Sequence, residues 1–464
     1  MRMKKLLSAS AIAALALLGF NANAGNIDAN AARMTAKNFI NQRVNTQGTF
    51  KAPASVADIK LVHSEASGVE GNAYYVFNIQ GGGWVIVAGD DRAKQILAYG
   101  ETGSIDMKNM PVPAKGYLNM FKAQIETMQN YKGEVVRLKA HKSITPVGPL
   151  CKTDWAQGNP FNLQCYFSGA YCSVGCAGTG MAQILNYWEY PKEIDGLSGY
   201  SPSWSLSIPA LPATTFDYDL IVDHYTYWQD GGLYLANTTD EQKQEVAKLC
   251  RYAAQSCLMN FSPDGSGSNV EKQKNGFITM GYHSDAKLLG LEAWPTRHTW
   301  NETDYTDEQW VELINAQLEK KHPIPYSSED FTDGHTFIVD GVDADGLYHV
   351  NWGWNGRCDG YFQYGAFDVT PTNETYHFNS ALFMVADLYP ATGDNPPSDE
   401  PEFTRGDVDD NGEVKIGDVT ALISYLLSGD ATGINLQAAD CDENGEIKIG
   451  DVTTLISYLL SGAW

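Results

Sequence analysis

The sequence predicts an α+β protein in three parts: a small α+β domain, a larger two-lobed α+β domain and a small all-α module. Strand-like apolar runs separated by glycine-rich turns occupy the first part. Seven of the eight Cys and nine of the eleven Trp lie in the second part, between residues 144 and 389. Near the C-terminus a segment repeats with a period of 33 residues, and each copy ends in a helical pattern.

The composition bounds the class of protein. The chain has 464 residues, of which 43% are hydrophobic, so it can form two or three packed domains. Asp and Glu number 56 against 32 Lys and Arg, a net charge of −24. This charge repels phosphate backbones and argues against nucleic-acid binding.

Residues 1–24 have the pattern of a secretory signal peptide. Basic residues in the first five positions precede an apolar run over 6–20, and residues 22–24 read Ala-Asn-Ala, a small-x-small cleavage site. The run is short for a bilayer span of about 20 residues, and no later run approaches that length. We therefore expect a secreted product without a membrane span in the mature chain. Periplasmic, cell-surface and extracellular fates remain open.

Composition shifts place the other boundaries. A helix-like start at residues 31–40 is followed by strand-like runs, including 74–77 and 84–87, which predicts a small α+β domain. An acidic, proline-rich stretch later in the chain has the composition of a linker. The predicted parts are a signal peptide at 1–24, a first domain at 25–143, a second domain at 144–389, a linker at 390–402 and a C-terminal module at 403–464.

The C-terminal repeat carries oxygen ligands at alternate positions. Residues 407–429 and 440–462 are identical at 19 of 23 positions. Calcium takes six to eight oxygen ligands, and such spacing wraps them around one ion. The predicted ligands are Asp407, Asp409, Asn411 and Asp418 in the first loop and Asp440, Asp442, Asn444 and Asp451 in the second. Two acidic surface turns are the alternative, although the pattern occurs twice in register.

Cys176 is the candidate nucleophile. It follows Gly175 and begins an apolar helical pattern that must stop before Pro191. At a helix N-terminus the unpaired amides and the dipole favour a thiolate, so we expect a lowered thiol pKa.

Three further side chains complete a thiol-based hydrolase site. Upstream, Gln157 offers a side-chain amide that can donate to an oxyanion together with the Cys176 amide. Downstream, His335 begins an apolar strand after a Gly turn. A second strand leads to Asn351, which places Asn351 on the chain that pairs beside His335.

These motifs together resemble the streptopain family of papain-fold cysteine peptidases. The resemblance rests on the Gln157 segment, the Cys176 helix, and the His335 strand followed by Asn351-Trp352-Gly353-Trp354. Residues 74–100 resemble the inhibitory pro-domain of that family. The resemblance implies a papain-like fold with a helical lobe bearing Cys176 and a sheet bearing His335.

The resemblance also implies a function and residue roles. The chain is expected to be an endopeptidase of protein and peptide substrates, made as a zymogen inhibited by its own pro-domain and using no cofactor for catalysis. Cys176 is then the nucleophile, His335 the general acid and base, and Gln157 the oxyanion donor. Either Asn351 or Trp352 steadies the imidazole. Cleavage within 139–149 would release the mature enzyme.

The C-terminal repeat resembles a type I dockerin. That resemblance implies a calcium-folded interaction module with a cohesin-like partner. At loop positions ten and eleven, where cellulosomal dockerins usually carry hydroxyl residues, this chain has Ile-Gly in both copies, at 416–417 and 449–450.

Alternatives remain at this point. The chain could be a non-catalytic scaffold-bound or adhesive protein, with a degenerate papain-like domain and the dockerin-like tail as its functional part. Cys176 could be a small buried residue or half of a disulfide. Its rival Cys172 lacks the preceding Gly and the helix entry, and His349 is expected to pack on the same sheet as His335.

Overall fold

A computed structural model describes most of the chain after residue 24. The described residues are 25–46, 50, 54–132, 135–137, 145–203, 206–229, 232–291, 305, 307–329, 334–366, 369–371, 381–393, 405–409, 411, 414–429, 431, 433–442 and 447–462. The predicted signal peptide and most of the predicted linker lie outside them. Described residues before 394 form one compact unit, and those after 404 form a second.

The helices and strands are named in chain order. The helices are α1 Ala29–Thr46, α2 Val112–Asn130, α3 Cys176–Trp188, α4 Asp240–Ser256, α5 Val270–Thr279, α6 Asp307–Glu319, α7 Ile416–Ser428, α8 Leu436–Ala439 and α9 Ile449–Ser461, with short 3-10 turns at Val56–Asp58 and Tyr218–Leu220.

The strands of the first 208 residues are β1 Ile59–Ala66, β2 Asn72–Ile79, β3 Trp84–Ala88, β4 Ile96–Gly100, β5 Val135–Arg137, β6 Tyr166–Phe167, β7 Ala170–Tyr171, β8 Glu193–Ile194, β9 Tyr200–Ser203 and β10 Leu206–Ile208. The later strands are β11 Thr214–Thr215, β12 Thr226–Gln229, β13 Gly232–Leu235, β14 Lys287–Leu291, β15 Ile324–Glu329, β16 Gly334–Val342, β17 Tyr348–Asn351, β18 Gly360–Phe362, β19 Val369–Pro371 and β20 Ala381–Ala386.

One ten-stranded sheet joins the two predicted domains. Its order is β1-β2-β3-β4-β18-β17-β16-β15-β20-β14, so the four strands of the first domain extend the sheet of the second. The junction pairs Tyr99 of β4 with Tyr361 of β18 in antiparallel register. The two rings stack at 5.0 Å between centroids. A strand of the connecting segment, β5, also pairs with β19 in the second domain.

Apolar cores lie on both faces of this sheet. Helix α1 packs on one face of β1–β4, around Phe77 and Val85. On the other face, α2 and α6 share a continuous core with β15–β18 and β20, which includes Phe121, Trp310 and Phe337. Because one core spans both domains, the first domain folds as an integral layer of the unit.

A helical lobe packs around α3. Residues 177–185 of this helix are all buried. At Gly178 a Cβ atom would lie 2.9 Å from the Cβ of Ala254 on α4, so glycine permits the close approach of the two helices. Glycine in a helix costs roughly 1 kcal/mol relative to alanine, and here that cost accompanies tight helix packing. The two-lobed α+β fold expected from the sequence is confirmed.

Candidate active site

Cys176 lies at the first position of α3, at the point where the helical lobe meets the sheet. The preceding Gly175 has φ +84°, and a Cβ there would lie 2.6 Å from Sδ of Met259 and 3.0 Å from the carbonyl oxygen of Ser266. Only glycine meets both demands, the left-handed backbone and the lack of space. The Gly-Cys pair that marks this position in the sequence therefore has a steric cause.

The sulfur of Cys176 contacts the beginning of β16. Thr336, the residue that follows His335, lies close enough to the sulfur for its main-chain N–H and its hydroxyl to lower the pKa of the thiol. The structure therefore brings Cys176, from early in the second domain, to the strand that carries His335. Thr336 was not predicted, since a single threonine in an apolar strand gives no signal of such a contact.

The protonation of Cys176 differs from the sequence prediction. Burial raises the pKa of the thiol above its ordinary value, while hydrogen bonds from Thr336 and from the N–H of Ala177 act in the opposite direction. The expected net lowering of the thiol pKa is wrong, because the cost of desolvating a thiolate exceeds the lowering that the helix N-terminus and Thr336 provide. A thiolate here needs a nearby cation, such as a protonated imidazole.

Trp354 lies beside His335. The two ring centroids are 6.4 Å apart and the rings meet at 64°, an edge-on contact. Trp352, predicted from the resemblance as a possible support of the imidazole, is instead 1% exposed. Its ring lies 4.8 Å from that of Phe337, and its Nε1 donates to the carbonyl oxygen of Cys358 at 2.9 Å. Trp354, which was not predicted from the sequence, contacts His335 instead.

Asn351 belongs to a buried polar cluster. Its Nδ2 donates to the carbonyl oxygen of Thr153 at 2.6 Å and to Oε1 of Gln183 at 3.1 Å. Its Oδ1 accepts from the N–H of Gly353 at 3.0 Å. In strand register Asn351 opposes Ile338, three residues beyond His335. The Asn351 amide thus joins the sheet to α3 through Gln183, an arrangement that strand spacing alone could not reveal.

Gln157 is held close to the nucleophile through its main chain. Its carbonyl oxygen accepts a hydrogen bond from the N–H of Val174 at 2.9 Å, two residues before Cys176. The side chain is half-buried. A further support comes from Gln273 of α5, which is fully buried and donates to the carbonyl oxygen of Ala177 at 3.0 Å. Nothing in the sequence distinguished Gln273.

The rival residues have other partners. His349 lies on β17 of the same sheet, as predicted, and its Nδ1 is 2.6 Å from Oδ1 of Asp340. Burial lowers the pKa of His349, but the charge and hydrogen bond of Asp340 outweigh burial, so the pKa is raised overall. Cys172 is 2% exposed. All eight cysteines are free thiols.

The C-terminal module contains two matching acidic clusters. Carboxylate oxygens of Asp407, Asp409 and Asp418 lie within 4.8 Å of one another, and so do those of Asp440, Asp442 and Asp451. Asn411 is exposed, and its N–H donates to Oδ1 of Asp407 at 3.0 Å. Asn444 lies outside the described residues. Clustered carboxylates are the donor set that suits calcium.

Exposed apolar residues occur at matching positions of α7 and α9. Ile416 and Ile449 are 71% and 70% exposed, and Leu427 and Leu460 are 84% and 85% exposed. The core of the module includes Val419 and Leu422, whereas Leu427 is exposed to solvent.

A thiol at the start of a buried helix, set against a histidine-bearing strand of a neighbouring sheet, defines a cysteine peptidase of the papain-like fold. Comparisons with known families agree. Residues 155–362 match the peptidase C10 family, residues 24–125 match the Spi protease inhibitor family, and residues 405–460 match the type I dockerin domain. Over its catalytic region the chain is similar to the peptidase C10, or streptopain, family, and it is a cysteine endopeptidase made as a zymogen with an inhibitory pro-domain.

Individual relatives support this assignment. Streptopain of Streptococcus pyogenes is 29% identical over 385 residues, covering 78% of this chain and 93% of the relative. The thiol protease/hemagglutinin PrtT of Porphyromonas gingivalis is 24% identical over 356 residues, covering 73% of this chain and 39% of that protein. A prointerpain A fragment from Prevotella intermedia superposes with a TM-score of 0.55 at 26% identity, covering 71% of this chain and 98% of the fragment. These relatives favour the peptidase over the non-catalytic alternative.

Among the helices of the described residues, none is long and apolar enough to span a bilayer.

Proposed function

We propose that Cys176 and His335 form the catalytic pair of this endopeptidase. The observation that carries the proposal is the proximity of Thr336, which adjoins His335 on β16, to the Cys176 sulfur. Gln157 is the side-chain oxyanion donor, and Trp354 shields and orients the imidazole. Asn351 acts through Gln183 to fix the sheet against α3, and Trp352 supports the same region from the core.

The mechanism is acyl transfer through a thioester. Cys176 gives its proton to His335, and the thiolate attacks the carbonyl carbon of the scissile peptide bond. The N–H of Cys176 and the Gln157 amide stabilise the oxyanion. As the C–N bond breaks, His335 donates the proton to the leaving amine. Water then gives a proton to His335 and attacks the thioester, which releases the acid and restores the thiol.

Labelling with an epoxysuccinyl inhibitor tests this assignment. The mature protein is expected to gain one inhibitor per chain at Cys176, and His335→Ala is expected to abolish the reaction. Cys172→Ala is the matched control, since Cys172 lies four residues away and should leave labelling unchanged. Labelling of the His335→Ala protein at the full rate would refute the catalytic pair.

We infer that residues 25–143 are the pro-domain and that cleavage within 139–149 starts maturation. Residues 138–144 lie outside the described residues, so support comes from the sequence and from the match of the first domain to the inhibitor family. Mass spectrometry of the purified precursor incubated alone should show a product that begins in this segment. Cys176→Ala should stay intact. Equal cleavage of both proteins would mean that a contaminating protease makes the cut.

We further propose that residues 403–464 bind two calcium ions and recognise a cohesin-like partner. The two acidic clusters and the dockerin match support calcium. The ligands are then Asp407, Asp409, Asn411 and Asp418, and Asp440, Asp442, Asn444 and Asp451. The exposed Ile-Gly positions favour an apolar contact surface on the partner. Calcium titration by calorimetry should show two sites, and Asp409→Asn should weaken one of them while leaving the other.

Export is the remaining part of the proposal. Residues 1–24 have the features of a cleavable signal, and the streptopain and PrtT relatives are proteases. Expression in a Gram-negative host followed by N-terminal sequencing of the exported protein should give a chain that begins at Gly25. A product that keeps residues 1–24 in the cytoplasm would contradict export.

A further inference from the structure

An exposed hairpin lies next to the candidate active site. Strands β12 and β13 pair in antiparallel register, with Tyr227 opposite Tyr234 and Thr226 opposite Leu235. The rings of Tyr227 and Tyr234 stack at 5.7 Å, so they share one face of the hairpin. Side chains alternate along a strand, and the other face therefore carries Thr226, Leu233 and Leu235.

The base of this hairpin is hydrogen-bonded to the segment that carries Trp354. Thr226 is 4% exposed, and its hydroxyl donates to Oδ1 of Asn355 at 2.9 Å. Asn355 directly follows Trp354, whose ring contacts His335. On the other side, the hydroxyl of the buried Tyr225 donates to the carbonyl oxygen of Gln242 on α4. Thr226, on the same face as Leu233 and Leu235, therefore joins that face to the segment whose Trp354 contacts His335.

Leu233 and Leu235 are exposed on that face. Leu233 is 41% exposed and Leu235 is 50% exposed. Single exposed leucines are ordinary, but these two lie on the same face as the buried Thr226, the face that touches the active-site segment. Covering such side chains with an apolar group is favourable, because it removes apolar surface from water. The Leu233 and Leu235 face is therefore suited to bind an apolar side chain of a peptide that passes His335.

The chain that must run past His335 is the substrate. In acyl transfer the imidazole protonates the leaving amine, so the residues after the scissile bond depart on the His335 side. From there, Trp354 and Asn355 lead to the hairpin. We propose that the Leu233 and Leu235 face of the β12–β13 hairpin is a subsite for an apolar side chain in the leaving-group part of a protein substrate. This inference rests on the proposed catalytic pair.

Substrates with and without residues after the scissile bond distinguish binding at this subsite from the catalytic step. One is a fluorogenic amide whose leaving group is a small amine without further residues. The others are internally quenched peptides that differ only in having Leu or Ser at the second, third or fourth position after the scissile bond. The full-length chain is used after maturation, and thermal unfolding checks that each variant is folded.

Wild-type enzyme should prefer the Leu peptide at one of these positions. In L233S/L235S the value of kcat/KM for that peptide should fall about tenfold, the usual effect of losing an apolar contact of this size, while the Ser peptide and the amide change far less. Y227S/Y234S is the matched control on the opposite face, and it should keep the preference for Leu.

Three outcomes would overturn the subsite. The first is a wild-type enzyme with no preference between the Leu and Ser peptides at all three positions. The second is an equal loss of kcat/KM by L233S/L235S on the amide and on every peptide, which indicates a structural role. The third is a variant that changes only the sedimentation of the enzyme, which indicates self-association through the hairpin. Failure of wild type to cleave any of the substrates would instead refute the catalytic proposal, and the subsite with it.

Discussion

The guanidinium of Arg43 on α1 lies 2.6 Å from Oδ2 of Asp343, in the turn between β16 and β17. Both side chains are buried, and the same carboxylate accepts a hydrogen bond from the hydroxyl of Tyr99 at 2.9 Å. Arg43 also lies over the ring of Tyr99, with its guanidinium carbon 4.7 Å from the centroid. A buried charge pair thus joins the pro-domain to the catalytic domain, next to the strand junction at Tyr361.

Arg43→Met should weaken the binding of the pro-domain to the catalytic domain. The change leaves Asp343 buried without its partner charge, and breaking such a pair typically costs about 3–5 kcal/mol. The precursor should unfold at lower urea, and mature enzyme should appear sooner on incubation. Arg33→Met is the matched control, because Arg33 lies on the same helix and faces Phe77 of the pro-domain. Equal maturation rates for Arg43→Met and wild type would contradict this role.

Gln183→Leu should weaken the connection between α3 and the sheet. Gln183 is 1% exposed, and its Oε1 accepts from Thr153, Trp155 and Asn351. Removing the acceptor leaves buried donors unpaired, at a cost of about 1–3 kcal/mol each. Urea unfolding of the Cys176→Ala chain, which cannot digest itself, should show the loss. Gln164→Leu, at a surface site, should change stability by less than about 0.5 kcal/mol.

Alanine substitutions of Trp352 and Trp354 should have different effects on stability and on kcat. Trp352→Ala removes a large core side chain and should cost about 3–5 kcal/mol in unfolding free energy. Trp354→Ala should cost less and should mainly lower kcat, because its ring contacts His335. Comparing kcat and stability for both variants checks this. If Trp352→Ala lowers kcat while stability is unchanged, the assignment of the two rings is reversed.

Asp359 should make stability depend on pH. Burial raises the pKa of Asp359 to about 7, although its Oδ1 accepts a hydrogen bond from the N–H of Trp352. In the unfolded chain an aspartate ionises near pH 4. The contribution of Asp359 to the unfolding free energy is therefore fully present below about pH 4. It is lost as the pH rises through about 7, because only the folded state must bury the charged carboxylate.

Asp359→Asn keeps an acceptor for Trp352 and removes this ionisation. The unfolding free energy of wild type should fall relative to that of the variant between pH 4 and pH 7, by about 4 kcal/mol at most. Urea unfolding at several pH values, in the Cys176→Ala background, measures the difference. Parallel pH curves for the two proteins would show that Asp359 ionises normally in the fold.

The sequence predicted elements better than it predicted contacts. The Cys176 helix, the His335 strand and the helix at 31–40 follow from periodicity and turn residues, and all three are confirmed. By contrast, the choice between Trp352 and Trp354 depends on the turn after β17, where Gly353 has φ +69°. Residue spacing does not say which ring such a turn directs toward His335.

The joint sheet was also beyond sequence reasoning. The strand-like runs at 74–77 and 84–87 indicate a sheet, but they do not indicate that β4 pairs with β18. That pairing, of Tyr99 with Tyr361, is made by main-chain atoms, which do not depend on residue type. The raised pKa of Cys176 was missed for a related reason, since the extent of burial at the helix start depends on how the two lobes close.

The shared sheet has a consequence for maturation. A cut between the two domains breaks one peptide bond, yet it leaves the strand pairing at β18, the stacked tyrosines and the Arg43 ion pair untouched. The cleaved pro-domain therefore remains a tight ligand of the enzyme from which it was cut. Full activity requires that this pro-domain be degraded or diluted. The onset of activity should therefore lag behind the cut, and it should accelerate as the first active enzyme molecules digest the remaining pro-domains.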